Sequence, residues 1–383
     1  MVSAVNEGDL YKQLQSAGLE LVGCTKLKNK KGGSFGKKVK IRDIIQFFVH
    51  IDQMQGAGVP LLEALADIRD TTENPNLRDI IAGVYRDVSD GSALSEAMQK
   101  HPNVFTALYI SLIKAAEDTG DMTGSYKQLI RYLKWVDEMR SKIKKATRYP
   151  MIVTGVVILA IVVMMGFVVP EIVGFIRNLG QELPWYTTAL IATSDFFKAY
   201  WYIVVAFPII SFVVIKVLCK YSYDFAYRVD LVILGLPLAG DLVRKINIAR
   251  YAQTFGALFA SGIDVISGLK SARNTVGNKV MLEALKNVEQ RVQAGSPLSE
   301  AFNVSGEFPS MVVRMLKIGE ESGNLTVVLD QVSEFYTKDV DEAVTGMIAM
   351  IEPALTGIMG GMILWIAAAV FGPIYNSFGE LNI

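Results

Sequence analysis

The sequence predicts an all-α membrane protein: two homologous six-helix bundles related by an internal repeat, with three transmembrane helices. Three observations carry this expectation. The second half restates the first at a nearly fixed displacement, each copy runs into a long apolar stretch at its end, and a third apolar stretch lies between the copies.

The repeat is visible without any alignment to other proteins. FFVHIDQMQGAGVPLLEAL (Phe47 to Leu65) returns as YAQTFGALFASGIDVISGL (Tyr251 to Leu269), which carries Gly58 onto Gly262 at a displacement of 204. The same displacement carries GSALSEA from Gly91 onto GSPLSEA from Gly295. One residue is then lost, so that AEDTGDM (Ala116 to Met122) falls on GEESGNL (Gly319 to Leu325) and Tyr149-Pro150 on Glu352-Pro353. Self-similarity on this scale means one supersecondary unit used twice.

Composition agrees with a membrane setting. Of the 383 residues 51% are hydrophobic and 20% charged, below the soluble norm of about 25%, and the mean hydropathy is +0.33. Three stretches approach the roughly 20 apolar residues a spanning helix needs: Met151 to Val169, Trp201 to Leu218 and Ala354 to Phe371. The second is interrupted by Pro208 and by Lys216, whose ammonium can snorkel to the headgroups. Basic residues and acidic residues number 38 each, so net charge favours no nucleic acid.

Orientation follows from where the basic residues lie. Lys134, Arg140, Lys142, Lys144, Lys145 and Arg148 precede the first stretch, and Lys220, Arg228, Arg244, Lys245 and Arg250 follow the second. Between these two stretches only Arg177 and Lys198 are basic, and nothing basic follows the third. Both bundles are therefore expected on the cytoplasmic side, with Trp185, Tyr186, Trp201 and Tyr202 in the outer aromatic belt. The chain then divides into an N-terminal flexible segment (1–40), bundle 1 (41–149), a first span (150–170), an outer loop (171–199), a second span (200–219), bundle 2 (220–352), a third span (353–372) and an outer C-terminus (373–383). Leu21-Val22-Gly23-Cys24 imitates a lipoprotein cleavage site, but polar and charged residues precede it and no cleaved signal is expected. Cys24 and Cys219 are expected as free thiols on the reducing side.

Within the first copy the punctuation is clear. The basic, Gly-rich run Lys26 to Lys38 reads either as a solvated linker or as a contact for an acidic partner or the anionic membrane face, and its glycine spacing is wrong for a phosphate-binding loop. Ile41, Ile44, Ile45 and Phe48 keep helical spacing up to Gly56-Ala57-Gly58. Pro60 opens a second helix and Pro75 a third, which Gly91 stops. Ser92 is the expected N-cap of a short helix carrying Leu94 and Met98, and Ser296 that of its copy, with Pro297 at the first helical position. A further helix ends at Gly120 in a left-handed cap, and Asp121 starts the last one, which continues into the membrane. Gly323 and Asn324 repeat that pair.

Catalytic chemistry finds little to stand on. The two histidines, His50 and His101, read as ordinary polar residues, and no His/Cys cluster has metal-ligand spacing. Glu117, Asp118 and Asp121, echoed by Glu320 and Glu321, leave two readings open: oxygen ligands for a hard cation such as calcium, or capping and pairing with arginines. Glu352 at the edge of a span needs a partner, either Arg148 or an arginine of a neighbouring subunit. Gly357 and Gly361 make a GxxxG step that allows close helix approach in an oligomer.

Taken together, Gly58-Val59-Pro60 with Ala64-Leu65, Gly91 to Ala97, Glu117 with Gly120 and Met122, and Tyr149-Pro150, followed by Gly262-Ile263 with Gly268-Leu269, Gly295 to Ala301, Glu320 with Gly323 and Leu325, and Glu352-Pro353, resemble the PilC/GspF family over about residues 40 to 375. Ala116 replaces the usual glycine before Glu117, and Asp264 stands where the first copy has Pro60. The resemblance implies a non-enzymatic platform protein of the bacterial inner membrane, in type IV pilus assembly or type II secretion. It implies a hexameric cytoplasmic ATPase, pilins or pseudopilins, other inner-membrane assembly proteins, membrane lipid and further copies of the chain as partners, and no resident cofactor. A membrane-embedded transporter component is the alternative, against which the near absence of polar residues within the apolar stretches argues.

Overall fold

The computed structural model describes residues 38–171, 174, 184–237 and 239–380. Cys24, Arg177 and the basic run up to Gly36-Lys37 lie outside them. Among the described residues helix is the only regular secondary structure, as the hydrophobic spacing predicts.

The first half contains α1 (Ile41–Gly56), α2 (Leu61–Thr71), α3 (Pro75–Ser89), α4 (Leu94–Gln99) and α5 (Ala107–Thr119), then the long α6 (Met122–Val163), which passes through a π-helical turn at Met164–Val168. The middle helix α7 runs from Trp185 to Tyr221 and α8 from Tyr223 to Gly235. The second half follows as α9 (Ala239–Ala260), α10 (Val265–Arg273), α11 (Lys279–Gln293), α12 (Leu298–Ser305), α13 (Ser310–Ser322) and α14 (Leu325–Glu380). The starts of α10, α11 and α12 sit 204 residues after those of α2, α3 and α4, and the starts of α13 and α14 sit 203 after those of α5 and α6.

The turns repeat because the same backbone demand recurs. Gly58 and Gly262 have φ of 84° and 81°, Gly91 and Gly295 95° and 92°, Gly120 and Gly323 78° and 71°. A side chain is strained in this left-handed region, so glycine closes each helix there. Two start signals differ from expectation. The N-caps of α4 and α12 are Ala93 and Pro297, so neither Ser92 nor Ser296 caps a helix through its side chain. The physical reason is that both helix ends are capped from elsewhere, as described below. Asp264 and Pro60 prove to occupy the same N-cap position. Pro60 presets the backbone, whereas Asp264 accepts the Ser267 N–H at 3.0 Å. That bond, with the Ser267 side chain, holds the Asp264 carboxyl below its ordinary value of 3.8. A depressed pKa stabilises the fold above the unfolded value and loses its effect as pH falls through the folded one. Asp264→Ala is therefore expected to cost about 1 kcal/mol near neutral pH and progressively less below about pH 4, as thermal melts across a pH series would show.

One continuous core joins the two halves. Phe47, Phe48, Phe105 and Tyr126 from the first are buried in the same cluster as Tyr251, Phe255, Phe302 and Phe308 from the second. Equivalent ring pairs recur, Phe47 with Phe105 at 5.8 Å and Tyr251 with Phe308 at 6.4 Å between centroids.

At about 1.5 Å per residue, the unbroken helix Met122–Glu171 and its counterpart Leu325–Gly372 far exceed the roughly 30 Å of a bilayer core. Both are long and apolar enough to cross a membrane, and little of either apolar stretch is covered by the rest of the chain. α7 begins inside the segment 171–199 expected as an outer loop. It does so because Leu190 and Ile191 pack into a second cluster with Met165, Val169, Met362, Ile366 and Ala369.

Candidate functional site

The structure concentrates its unusual features along α6 and α14, the helices that leave the core and become apolar. Three constructions matter there: what anchors their starts, what joins them to each other, and what lies between them where they diverge.

The starts are anchored by duplicated carboxylates. At the C-terminal end of α5, Glu117 reaches back to α4, where its carboxylate accepts the Ser95 N–H at 3.0 Å and the Ser95 hydroxyl. At the end of α13, Glu320 accepts the Leu298 and Ser299 N–H groups at 2.6 and 3.1 Å and the Ser299 hydroxyl at 2.9 Å. Each therefore satisfies the free amides of a helix N-terminus, supplying negative charge where the helix dipole favours it. Sequence reasoning weighed capping for these acids as a class but missed this contact, because the donor lies some 22 residues away on another helix. The LSEA repeat, in which the serine recurs with the glutamate, is the signal that could have found it. Asp121 does cap α6, accepting the Gly124 N–H at 2.9 Å. Among the described residues no three His, Cys, Asp or Glu side chains converge as a metal site, and Glu117 is committed to Ser95.

The departure at Ala116 also has a geometric reason. A Cβ on Gly319 would meet Val328 at 3.0 Å. The repeat places Ser125 at the Val328 position and Ala116 at the Gly319 position. Each copy thus pairs one larger with one smaller residue, and close packing makes such exchanges reciprocal.

The two helices are joined above and below. In the core half, the Trp135 indole donates to the Thr337 hydroxyl at 3.0 Å and the Lys142 ammonium meets Asp341 at 2.5 Å. Nearby, burial pushes the Tyr132 phenol up and lowers the Arg250 guanidinium. In the apolar half, α7 stitches both helices together through backbone carbonyls. Ser194 donates to Met165 O at 2.7 Å in the π-helical turn, Thr187 to Ala369 O at 2.9 Å, and the Trp365 indole to Tyr186 O at 3.2 Å. Such hydroxyl-to-carbonyl bonds suit helices with no water to satisfy them.

Between these two regions α6 and α14 part. Tyr149, Pro150, Val153 and Val157 face Ile348, Ile351, Glu352, Leu355, Thr356 and Met359 across a cavity of about 290 Å³. Pro150 lies inside α6 and Pro353 inside α14, so Ala146 and Ala349 each lose the amide that would bond their carbonyl. Glu352 and Arg148 are both exposed, and they form no ion pair with each other. The intrachain pairing open in the sequence is therefore not made. Gly357 and Gly361 face open space, with nothing within 4 Å of a built Cβ. His50 sits 3.2 Å from Asp67 and His101 lies against Gly83. Cys219 is a free thiol.

Among the described residues, an all-helical core that sends two long, apolar helices outward fits a membrane protein, and its similarities say which kind. The chain matches the family model "Type II secretion system (T2SS), protein F" over residues 53–170 and again over 251–373, and it belongs to that family. It is 33% identical over 368 residues to the type IV pilus assembly protein PilC of Pseudomonas aeruginosa, covering 95% of this chain and 98% of that one. It is also 33% identical over 351 residues to the protein of the same name from Thermus thermophilus, covering 90% and 84%. With the type II secretion system protein F of Vibrio cholerae it shares 27% over 344 residues, covering 90% and 84%.

Proposed function

We propose that the chain is a non-enzymatic inner-membrane platform protein of a type IV pilus or type II secretion machine, which couples a cytoplasmic hexameric ATPase to the insertion of pilin subunits into a fibre. The observation that carries this reading is the continuity of α6 and α14. Each starts inside the shared core and runs on as an exposed apolar helix, so displacement of the core reaches the membrane along a helix rather than through a loop. The names of the relatives, which concern pilus assembly and secretion, support the setting.

The finer architecture follows the repeat. Two cytoplasmic six-helix bundles, α1–α6 and α9–α14, flank α7, and α6, α7 and α14 form three spans. The paired helix starts support the two bundles. The run Phe212 to Leu218, exposed on every face, supports the middle span, since an uncovered apolar helix belongs in lipid. The basic residues flanking the spans support bundles inside and the C-terminus outside. Self-association with further copies belongs to the same reading.

The test is a pull-down of the detergent-solubilised full chain with the assembly ATPase and the major pilin of the same cell. Binding to both, lost on deleting either repeat, is the expected result. A folded protein that binds neither would sink the coupling mechanism.

A further inference from the structure

The cavity between α6 and α14 is lined mostly by apolar side chains, joined by Tyr149, Thr356 and one carboxylate, that of Glu352. Among the described residues Glu352 has no hydrogen-bond or ion-pair partner for that carboxylate. α7 does not cover the opening. Its helix is broken at Tyr200, where φ is −124° and ψ 17°, and beyond that point none of its described side chains is buried. An ionised group at the edge of an apolar surface is costly unless paired, so the groove suits a cationic occupant.

We propose that the occupant is a second copy of this chain, whose Arg148 enters the groove and pairs with Glu352. Three features of the molecule select it. The internal repeat sets Tyr149 opposite Glu352, and both line the groove, so Arg148 lies within one residue of the depth of the carboxylate. Arg148 is exposed on α6 and has no ion-pair partner among the described residues. The shape of the groove also suits this side chain. At about 290 Å³ the groove lies at the lower end of the usual range of small-molecule pockets, about 300–1,000 Å³. It admits a long side chain whose aliphatic stem covers Pro150, Val153 and Leu355 while its guanidinium forks onto a carboxylate. Two copies related by a two-fold axis along the membrane normal keep equal depths, so the contact is made twice, Arg148 of each against Glu352 of the other. This inference rests on the self-association proposed above and gives it a location.

The experiment measures self-association of the full chain in lipid nanodiscs or mild detergent by mass and by cross-linking, with no ATPase or pilin present. R148E or E352R alone is expected to weaken self-association about tenfold or more by juxtaposing like charges. The doubly reversed chain is expected to return to within about threefold of the parent. Helix content and melting temperature are followed alongside. As a measurement that needs no charge reversal, a tagged R148C chain and an untagged E352C chain, with Cys24 and Cys219 replaced, are co-expressed and cross-linked. A mixed dimer is expected, and only contact between copies can produce it. A monomeric parent, single variants that associate like the parent, a double variant that stays dissociated, or absence of the mixed cross-link would each overturn the proposal. Pull-downs of ATPase and pilin on the same variants read the platform function separately, so loss of one reading is distinguishable from loss of the other.

Discussion

Glu117→Ala and Glu320→Ala are each expected to destabilise the protein by about 2 kcal/mol, and to do so by loosening one short helix rather than the whole chain. The six residues of α4 and eight of α12 are too few to be stable helices alone. Their first amides have no side-chain cap from their own N-cap residues, Ala93 and Pro297. All the compensation comes across the fold, from one carboxylate at the end of the next helix. A hydrogen bond to a charged group contributes about 1.5–3 kcal/mol, reduced here because Glu117 is only half-buried and Glu320 exposed. Hydrogen exchange is the discriminating measurement. Amides at Ser95 in one variant, and at Leu298 and Ser299 in the other, should lose protection while α1 and α9 keep theirs. The Gln variants retain an acceptor without the charge and should fall between parent and Ala. Uniform loss across the chain would mean that the glutamates act on the core as a whole rather than as remote caps.

The same contact shows where sequence reading reaches and where it stops. Helix boundaries such as Gly58, Pro75, Gly91 and Gly120 are legible because each residue changes the local backbone: proline presets φ and glycine permits the left-handed turn. The duplicated order made them firmer, since a boundary seen twice is hard to mistake. Ser92 misled because it has the chemistry of an N-cap at about the right place, while the actual acceptor is set by tertiary packing and leaves no local mark. The early start of α7 was hidden for a related reason. Thr187, Thr188, Thr193 and Ser194 make Trp185 to Tyr200 look polar, yet Thr188 and Thr193 donate back to the carbonyls four residues before them, Thr187 to a carbonyl of α14 and Ser194 to one in the π-helical turn after α6. Hydropathy counts a hydroxyl as polar whether or not its bond is already made. Glu352 stands out in the sequence as a charge at the edge of an apolar stretch, whereas its surroundings leave no local mark, because the groove is built from residues some 200 apart in the chain.

On the coupling reading proposed above, softening α6 between its core half and its apolar half is expected to abolish fibre assembly while leaving both parts intact. Replacing Lys144 to Thr147 with four glycines keeps the length of the chain, and lies beyond the last joint with α14 at Lys142–Asp341. Replacing the same four residues with alanines removes the same side chains, including the two lysines on which the expected orientation partly rests, and keeps the helix. Glycine is less favourable than alanine by about 0.8–1 kcal/mol per helical position, so the two variants differ by about 4 kcal/mol in helix continuity and in little else. Pro150 already removes one backbone bond here, which makes this stretch the place where continuity is least secured. If motion travels along α6, the alanine variant assembles fibres and the glycine variant does not, although both insert in the membrane and bind the ATPase. Assembly by the glycine variant at the alanine level would show that a stiff α6 is not the route. Force would then have to pass through α14 or through α7, and the joint formed by Trp135 with Thr337, which lets α14 take up the load of α6, would be the next to break.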